Sequence, residues 1–304
     1  MFSIDAILHP TDFSTDARQA LAYAISMARR HQSTLHVLHV ADDLAGGTDR
    51  AQGAGHDAPD DAQPTPEEAR LAELIQEAGA GDLAVKMVHE QGASPGPSII
   101  EYAEEQSMDL VVMGTHGRRG VKRMLLGSVA EEVVHEADCS VMTVRGGQDD
   151  PARIVIDRVL VPVDLSEFSA PLYRAALDIA AVHDARVDLL HVVEPLPYPR
   201  PLVGEVSLHD LVPDPTERSA ELLSQLADAP ARPDIDVATH TVEGHAAQTI
   251  VRQADALESD LIFMASQGMS SIERLLLGSV TARVVRRARD PVFIARVQPE
   301  PFLE

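Results

Sequence analysis

The sequence has no tryptophan, and aromatic residues make up only 3% of it, so any core must be aliphatic, built from Ala, Val, Leu and Ile. Cysteine is almost as scarce. Cys139 stands alone, which excludes an internal disulfide and any zinc site made of paired cysteines, and suits a reducing compartment. Positive charge is also short. Lys86 and Lys122 are the only lysines, and the formal net charge is −23. A surface this acidic repels phosphate backbones and anionic lipid, so no nucleic-acid or membrane-surface partner is expected. No apolar run approaches the roughly 18 residues that a membrane-spanning helix needs. Met1 leads directly into an apolar segment, with no basic stretch or cleavage site before it, and a cytoplasmic location is expected.

What the chain does have is a repeat. Ile7-Leu8-His9-Pro10-Thr11-Asp12-Phe13-Ser14 aligns with the segment from Val159 to Ser166 at an offset of 152, and Leu38-His39-Val40 meets Leu190-His191-Val192 at the same offset. Leu125-Leu126-Gly127-Ser128-Val129 meets Leu276-Leu277-Gly278-Ser279-Val280 at 151. Ordered matches at a nearly constant offset mark a duplication. Two domains are expected, 1–146 and 157–298, joined by a linker over Gly146–Ile156.

Each half alternates strand and helix. In the first, strands are predicted at Ile4–His9, Thr34–Val40, Leu83–His89, Asp109–Met113 and Ser140–Arg145. Ser14 is placed to cap a helix whose apolar stripe runs Ala17, Ala20, Leu21, Ala24, Ile25, Ala28. Further helices are predicted over Pro66–Ala78, Pro97–Gln106 and Gly127–Ala137. A Gly/Asp-rich loop, Ala41–Pro64, and a Pro-rich insertion, Glu194–Pro215, interrupt the two halves at matching places. Such alternation demands an α/β fold with a doubly wound parallel sheet in each half. Ligands of such sheets bind beyond the carboxyl ends of the strands, at the point where strand order reverses.

One loop at that edge stands out. Gly114-Thr115-His116-Gly117 is followed by Arg118, Arg119, Lys122 and Arg123, and then by Gly127-Ser128 at a helix start. Glycines let the backbone approach a ligand, and a helix N-terminus favours an anion. Four cations between them, in so acidic a chain, suit phosphate; the plainer reading of a charge run is a solvated face. His116 is expected to face water. His36 and His39, three apart on a strand, lie on opposite faces and cannot share a metal. Cys139 is expected to be packed rather than reactive.

The spacing Gly-x2-Gly-x9-Gly-Ser, behind an apolar strand and paired with Pro10-Thr11-Asp12, resembles the ATP-binding motif of the universal stress protein family, and the two copies resemble its tandem members. The resemblance implies an adenine nucleotide alpha hydrolase-like fold with strand order 3-2-1-4-5 and domains paired through their last strands, an internal pseudo-dimer. It implies ATP, with or without Mg²⁺, as ligand. Pro10, Thr11, Asp12 and the backbone of Val40 would serve the adenine and ribose side, Met113, Gly114, Gly117 and Arg118 would line the pocket, and Gly127, Ser128 and Val129 would meet the phosphates.

The second copy keeps Asp164, Val192, Gly268, Gly278 and Ser279 but has Ala265 in place of the first glycine, and Arg274 as its one loop cation, beside Glu273. If that position needs a positive φ, alanine there costs about 1 kcal/mol or reshapes the turn. Weaker or no ATP binding is expected in this half. Three functional classes fit the sequence: a nucleotide-binding regulatory protein, a slow ATPase or autophosphorylating protein, and a scaffold that binds no nucleotide. There is no Gly-x4-Gly-Lys-Ser/Thr loop, and Glu131 and Glu132 lie one turn into the helix, so a dedicated enzyme is not expected. A further homodimer is left open, because the pseudo-dimer already satisfies the expected pairing.

Overall fold

A computed structural model describes residues 2–42, 65–117, 126–146, 154–195, 215–229, 232, 234–268 and 277–300. The first domain runs β1 (Ala6–Pro10), α1 (Thr15–His31), β2 (Thr34–Asp42), α2 (Pro66–Glu77), β3 (Val85–Gly92), α3 (Pro95–Glu105), β4 (Leu110–Gly114), α4 (Ser128–Glu136) and β5 (Ser140–Val144). The second repeats it as β6 (Arg158–Val163), α5 (Ser169–His183), β7 (Arg186–Val193), α6 (Pro215–Asp228), β8 (Val237–Glu243), α7 (Ala246–Leu257), β9 (Leu261–Ala265), α8 (Ser279–Arg287) and β10 (Val292–Ala295). Most of the two interrupting loops, the linker over 147–153 and all four loop cations, Arg118, Arg119, Lys122 and Arg123, lie outside the described residues.

Local chemistry explains where elements start. The Ser14 hydroxyl accepts the Ala17 N–H at 3.2 Å, and the predicted stripe of α1 is buried along its length. Thr65 and Glu68 form a reciprocal capping box ahead of Pro66, which begins α2. The first strand starts two residues later than the apolar run suggests. The Asp109 carboxylate instead accepts the N–H groups of Asp5 and Ala6, at 2.8 and 2.9 Å. The duplication preserves this device: Asp260 accepts from Asp157 and Arg158, both at 2.9 Å.

The strand order within each half is 3-2-1-4-5, all parallel, and the two sheets join into one of ten strands, β3-β2-β1-β4-β5-β10-β9-β6-β7-β8. The junction is antiparallel, with Val292, Phe293 and Ile294 opposite Thr143, Met142 and Val141. The expected internal pseudo-dimer is thus continuous through the sheet. One face is covered by α1, α2, α5 and α6 and the other by α3, α4, α7 and α8, so β4 and β5 are buried on both sides. The core is aliphatic, with the stacked Phe263 and Phe293 rings beside the junction and Phe2 set edge-on against both. The linker end is not loose: Ile156 is buried, Ile154 packs beside it, and Ser26 Oγ donates to the Ile154 carbonyl.

Two arginines at equivalent positions lock the domains reciprocally. Arg145 Nη2 donates to the Arg286 carbonyl at 2.9 Å, at the end of α8. Arg296 Nη2 donates to the Val134 and His135 carbonyls at 3.3 and 3.2 Å, at the end of α4. Each satisfies helix-terminal carbonyls that have no partner within their own helix. No helix among the described residues is long and apolar enough to cross a membrane.

Candidate functional site

Strand order reverses at β1, which has β2 on one side and β4 on the other, and the crevice beyond their carboxyl ends gathers the candidate residues. Pro10 ends β1 and is buried, as is Thr11, so neither offers a free side chain. The Thr11 hydroxyl accepts the Phe13 N–H at 3.1 Å, and Asp12 Oδ1 accepts the Ser14 N–H at 3.0 Å. Between them Phe13 sits in the left-handed region, φ 62°, a costly conformation for an aromatic residue; Leu165 repeats it at φ 59°. The turn is therefore overdetermined by its surroundings. His39 Nδ1 donates to the Thr11 carbonyl at 2.8 Å and its ring lies 4.6 Å from that of Phe13, while Arg70 covers the Phe13 ring at 4.1 Å. His191 donates likewise to the Val163 carbonyl at 2.9 Å, which gives the repeated histidine a structural reason. His9, wholly buried, donates from Nδ1 to the Val112 carbonyl, and burial lowers its pKa to about 4.

The glycines are needed for closeness. A Cβ on Gly114 would lie 2.9 Å from the carbonyl carbon of Asp16, in the first turn of α1. Its φ is not in the left-handed region, so the condition of a positive φ is not met, and sterics against a neighbouring backbone demand glycine there. A Cβ on Gly117 would lie 2.7 Å from Asp12 Oδ2. Asp12 and Gly117, distant in the chain, thus form one wall. The Gly127 N–H donates to the Thr115 carbonyl at 2.8 Å and closes the neck of the loop between them.

That closure sets the N-terminus of α4 at the crevice. Its N-cap is Gly127, with no side chain to bond the helix's first N–H groups, and Ser128 is exposed. Uncapped N–H groups and the positive helix end suit a phosphate. Val129 is half-buried, Val40 packs against the α3–α4 face of the core, and the Met113 side chain is buried there, so Met113 reaches the crevice only through its backbone. Contrary to expectation, His116 turns inward: its Nδ1 lies 2.9 Å from Thr115 Oγ1 and 3.3 Å from an Asp16 carboxylate oxygen. Arg118 lies outside the described residues. A cradle that any Cβ would fill, beside an uncapped helix start, fits the sugar–phosphate portion of a nucleotide.

The second domain keeps the frame and changes its contents. Gly278 N–H donates to the Ser266 carbonyl at 2.8 Å, and a Cβ on Gly268 would lie 2.5 Å from Asp164 Oδ2. Ser279 is exposed, as Ser128 is, and Val192 packs on the same core face as Val40. Asp164 Oδ1, however, accepts three hydrogen bonds, from Ser166 N, Ser166 Oγ and Ser169 Oγ, at 3.1, 2.5 and 3.3 Å. Ser166 Oγ donates to Asp164 and accepts the Phe168 N–H at 3.3 Å, and α5 starts two residues later in the repeat than α1 does, with Phe168 as an N-cap that makes no side-chain bond. Ala265 takes the place of Gly114 and packs against the core. Thr281 Oγ1 donates to the Ala265 carbonyl at 3.0 Å, where the first domain has Ala130.

Two cavities, of about 420 and 550 Å³, lie elsewhere. The first opens at the amino ends of β4 and β5 beside Cys139, whose thiol is pushed up to about 11 by burial, in keeping with a packed role. Neither includes a candidate residue.

The model of the universal stress protein family matches residues 3–145 and again 156–296. A universal stress protein of Mycobacterium tuberculosis is 29% identical over 233 residues, covering 75% of each chain. Another from Methanocaldococcus jannaschii is 32% identical over 150 residues, 46% of this chain and 81% of its own. Among solved structures, a universal stress protein from Archaeoglobus fulgidus superposes with a TM-score of 0.63 at 21% identity, over 97% of both chains. One described as a putative universal stress protein from Pseudomonas aeruginosa gives 0.65 at 17%, over 97% of this chain and 94% of that one. At these identities the two structures speak for the fold.

Proposed function

The chain belongs to the universal stress protein family, and we propose that its first domain is a cytoplasmic regulatory module that binds ATP at the carboxyl edge of β1 and β4. The observation that carries this reading is the closed loop neck. The Gly127–Thr115 bond sets an uncapped helix start beside the wall made by Asp12 and Gly117. Phosphates would lie on the N–H groups of Ser128 and Val129, and the ribose side would face Asp12. A dedicated ATPase is disfavoured by the chemistry at hand. Turnover needs Mg²⁺ ligands and a positioned base, whereas two of the nearby acids are already engaged, Glu131 with Arg286 and Asp16 with His116. The second domain is read as a structural half, on the ground that Ala265 replaces the first glycine and that two serine hydroxyls engage Asp164 Oδ1.

Calorimetry with ATP, with and without Mg²⁺, tests this. One ATP per chain is expected, abolished by Gly117→Val and unaffected by Gly268→Val. Two ATP per chain would overturn the reading of the second domain. No binding of ATP, ADP or AMP would overturn the whole.

A further inference from the structure

The first turn of α4 carries an acid as well as N–H groups that no side-chain cap bonds among the described residues. Glu131 stands one turn in from Ser128, where its carboxylate would compete with an incoming phosphate for the positive end of the helix. It does not point there. Its Oε1 is bonded across the domain interface by Arg286 Nη2, from the last turn of α8. Residue 286 is held a second time from the first domain, because its carbonyl accepts from Arg145 at 2.9 Å. Arg145 in turn feels Asp16, the residue paired with His116 at the base of the loop. The last turn of α8 is thus gripped by two first-domain residues that both lead back to the crevice.

The repeat shows that this arrangement runs one way. The counterpart of Glu131 is Ala282 and that of Arg286 is His135, so the reciprocal ion pair cannot form. The two arginine–carbonyl caps are symmetric across the interface; this ion pair is not. It serves the domain to which the ATP reading points.

We propose that Arg286 is a positioning residue for the first domain's nucleotide site, supplied by the second domain: it holds the Glu131 carboxylate across the interface and leaves the first turn of α4 to phosphate. The inference rests on the ATP reading above. A purely structural ion pair, about four-tenths exposed on both sides, would give little binding energy and would respond alike to loss of either partner. The proposed role makes the two partners act in opposite directions.

Calorimetry on the full chain would compare Arg286→Gln, Glu131→Gln and the double variant with AMP, ADP and ATP. Arg286→Gln should weaken ATP about two- to five-fold, the range of a charge at a helix end, with a smaller loss for ADP and the smallest for AMP. Glu131→Gln breaks the same ion pair yet should bind ATP as well as the unmodified chain or better, and the double variant should match it. Equal losses in the two single variants, or equal losses for all three nucleotides, would overturn the proposal and leave an interface contact. Failure of the unmodified chain to bind any of the three would instead overturn the ATP reading beneath it.

Discussion

The two carboxyl edges are built on one backbone and differ in how their polar groups are spent. Both have an aspartate at the end of the first strand, a left-handed residue after it, a glycine against the carboxylate and a loop neck closed by an N–H to a carbonyl. In the first domain Ser14 caps α1, and in the second Ser166 turns on Asp164. One hydroxyl, turned from a helix start toward a carboxylate, goes with a later start of α5 and engages one oxygen of the acid. A duplicated scaffold can diverge in function by redistributing hydrogen bonds, with the sheet untouched.

Acid should separate the halves most. His9 occupies the place of Val161, and its folded pKa of about 4 lies below the ordinary 6.5, so the unfolded chain binds the extra proton between those values. Stability from this group is complete above pH 6.5, falls as pH drops toward 4, and changes no further below it, a loss of about 3 kcal/mol. His9→Val should remove that share of the acid sensitivity, measured as denaturation midpoints at about pH 7 and pH 4.5. An unchanged pH dependence would show that His9 is not the source. His31 and His183, whose rings meet across the domains 5.5 Å apart, are both lowered to about 4 by burial and add acid sensitivity to both halves alike.

The steric comparison comes next. Gly114→Ala forces a Cβ against the α1 backbone and should cost about 1–3 kcal/mol in chemical denaturation. Ala265→Gly should cost less, about 1 kcal/mol or under, because it creates no clash and only loses a methyl group and frees the backbone. Equal costs would sink the steric account of Gly114. The smallest effect is expected at Arg70, which covers Phe13 in the first domain; the corresponding turn residue of the second is Leu165, with no ring to cover. Arg70→Ala should lower stability by about 0.5–1 kcal/mol, with a thermal shift erased in a Phe13→Leu background.

Several of these features are legible in the chain itself. The duplication shows in ordered matches, the α1 stripe in its spacing, and Ser14 as a cap in its position. Pairing through the last strands comes from the family resemblance alone. Others leave no local trace. An aromatic residue at position 13 argues against a left-handed backbone, and only the recurrence of Asp-x-Ser in both halves hints at it. Nothing near Asp109 says that it will hold the N–H groups of Asp5 and Ala6, about a hundred residues earlier. His116 reads as a loop residue facing water because its partner, Asp16, belongs to another element. The motif points to the right neighbourhood but does not reveal that Asp12 and Gly117 touch.

By itself the sequence determined the duplication, the alternation of strand and helix, the aliphatic core and the Ser14 cap of α1. These depend on periodicity and on residues within a turn or two of each other. Tertiary structure alone decided why position 114 must be glycine, which acid Ser166 serves, and that an arginine of one domain holds an acid at the other's helix start. Each of these is a contact that chain order alone does not specify, set by the register of parallel strands, by the turn that follows β6 and by the junction of β5 with β10.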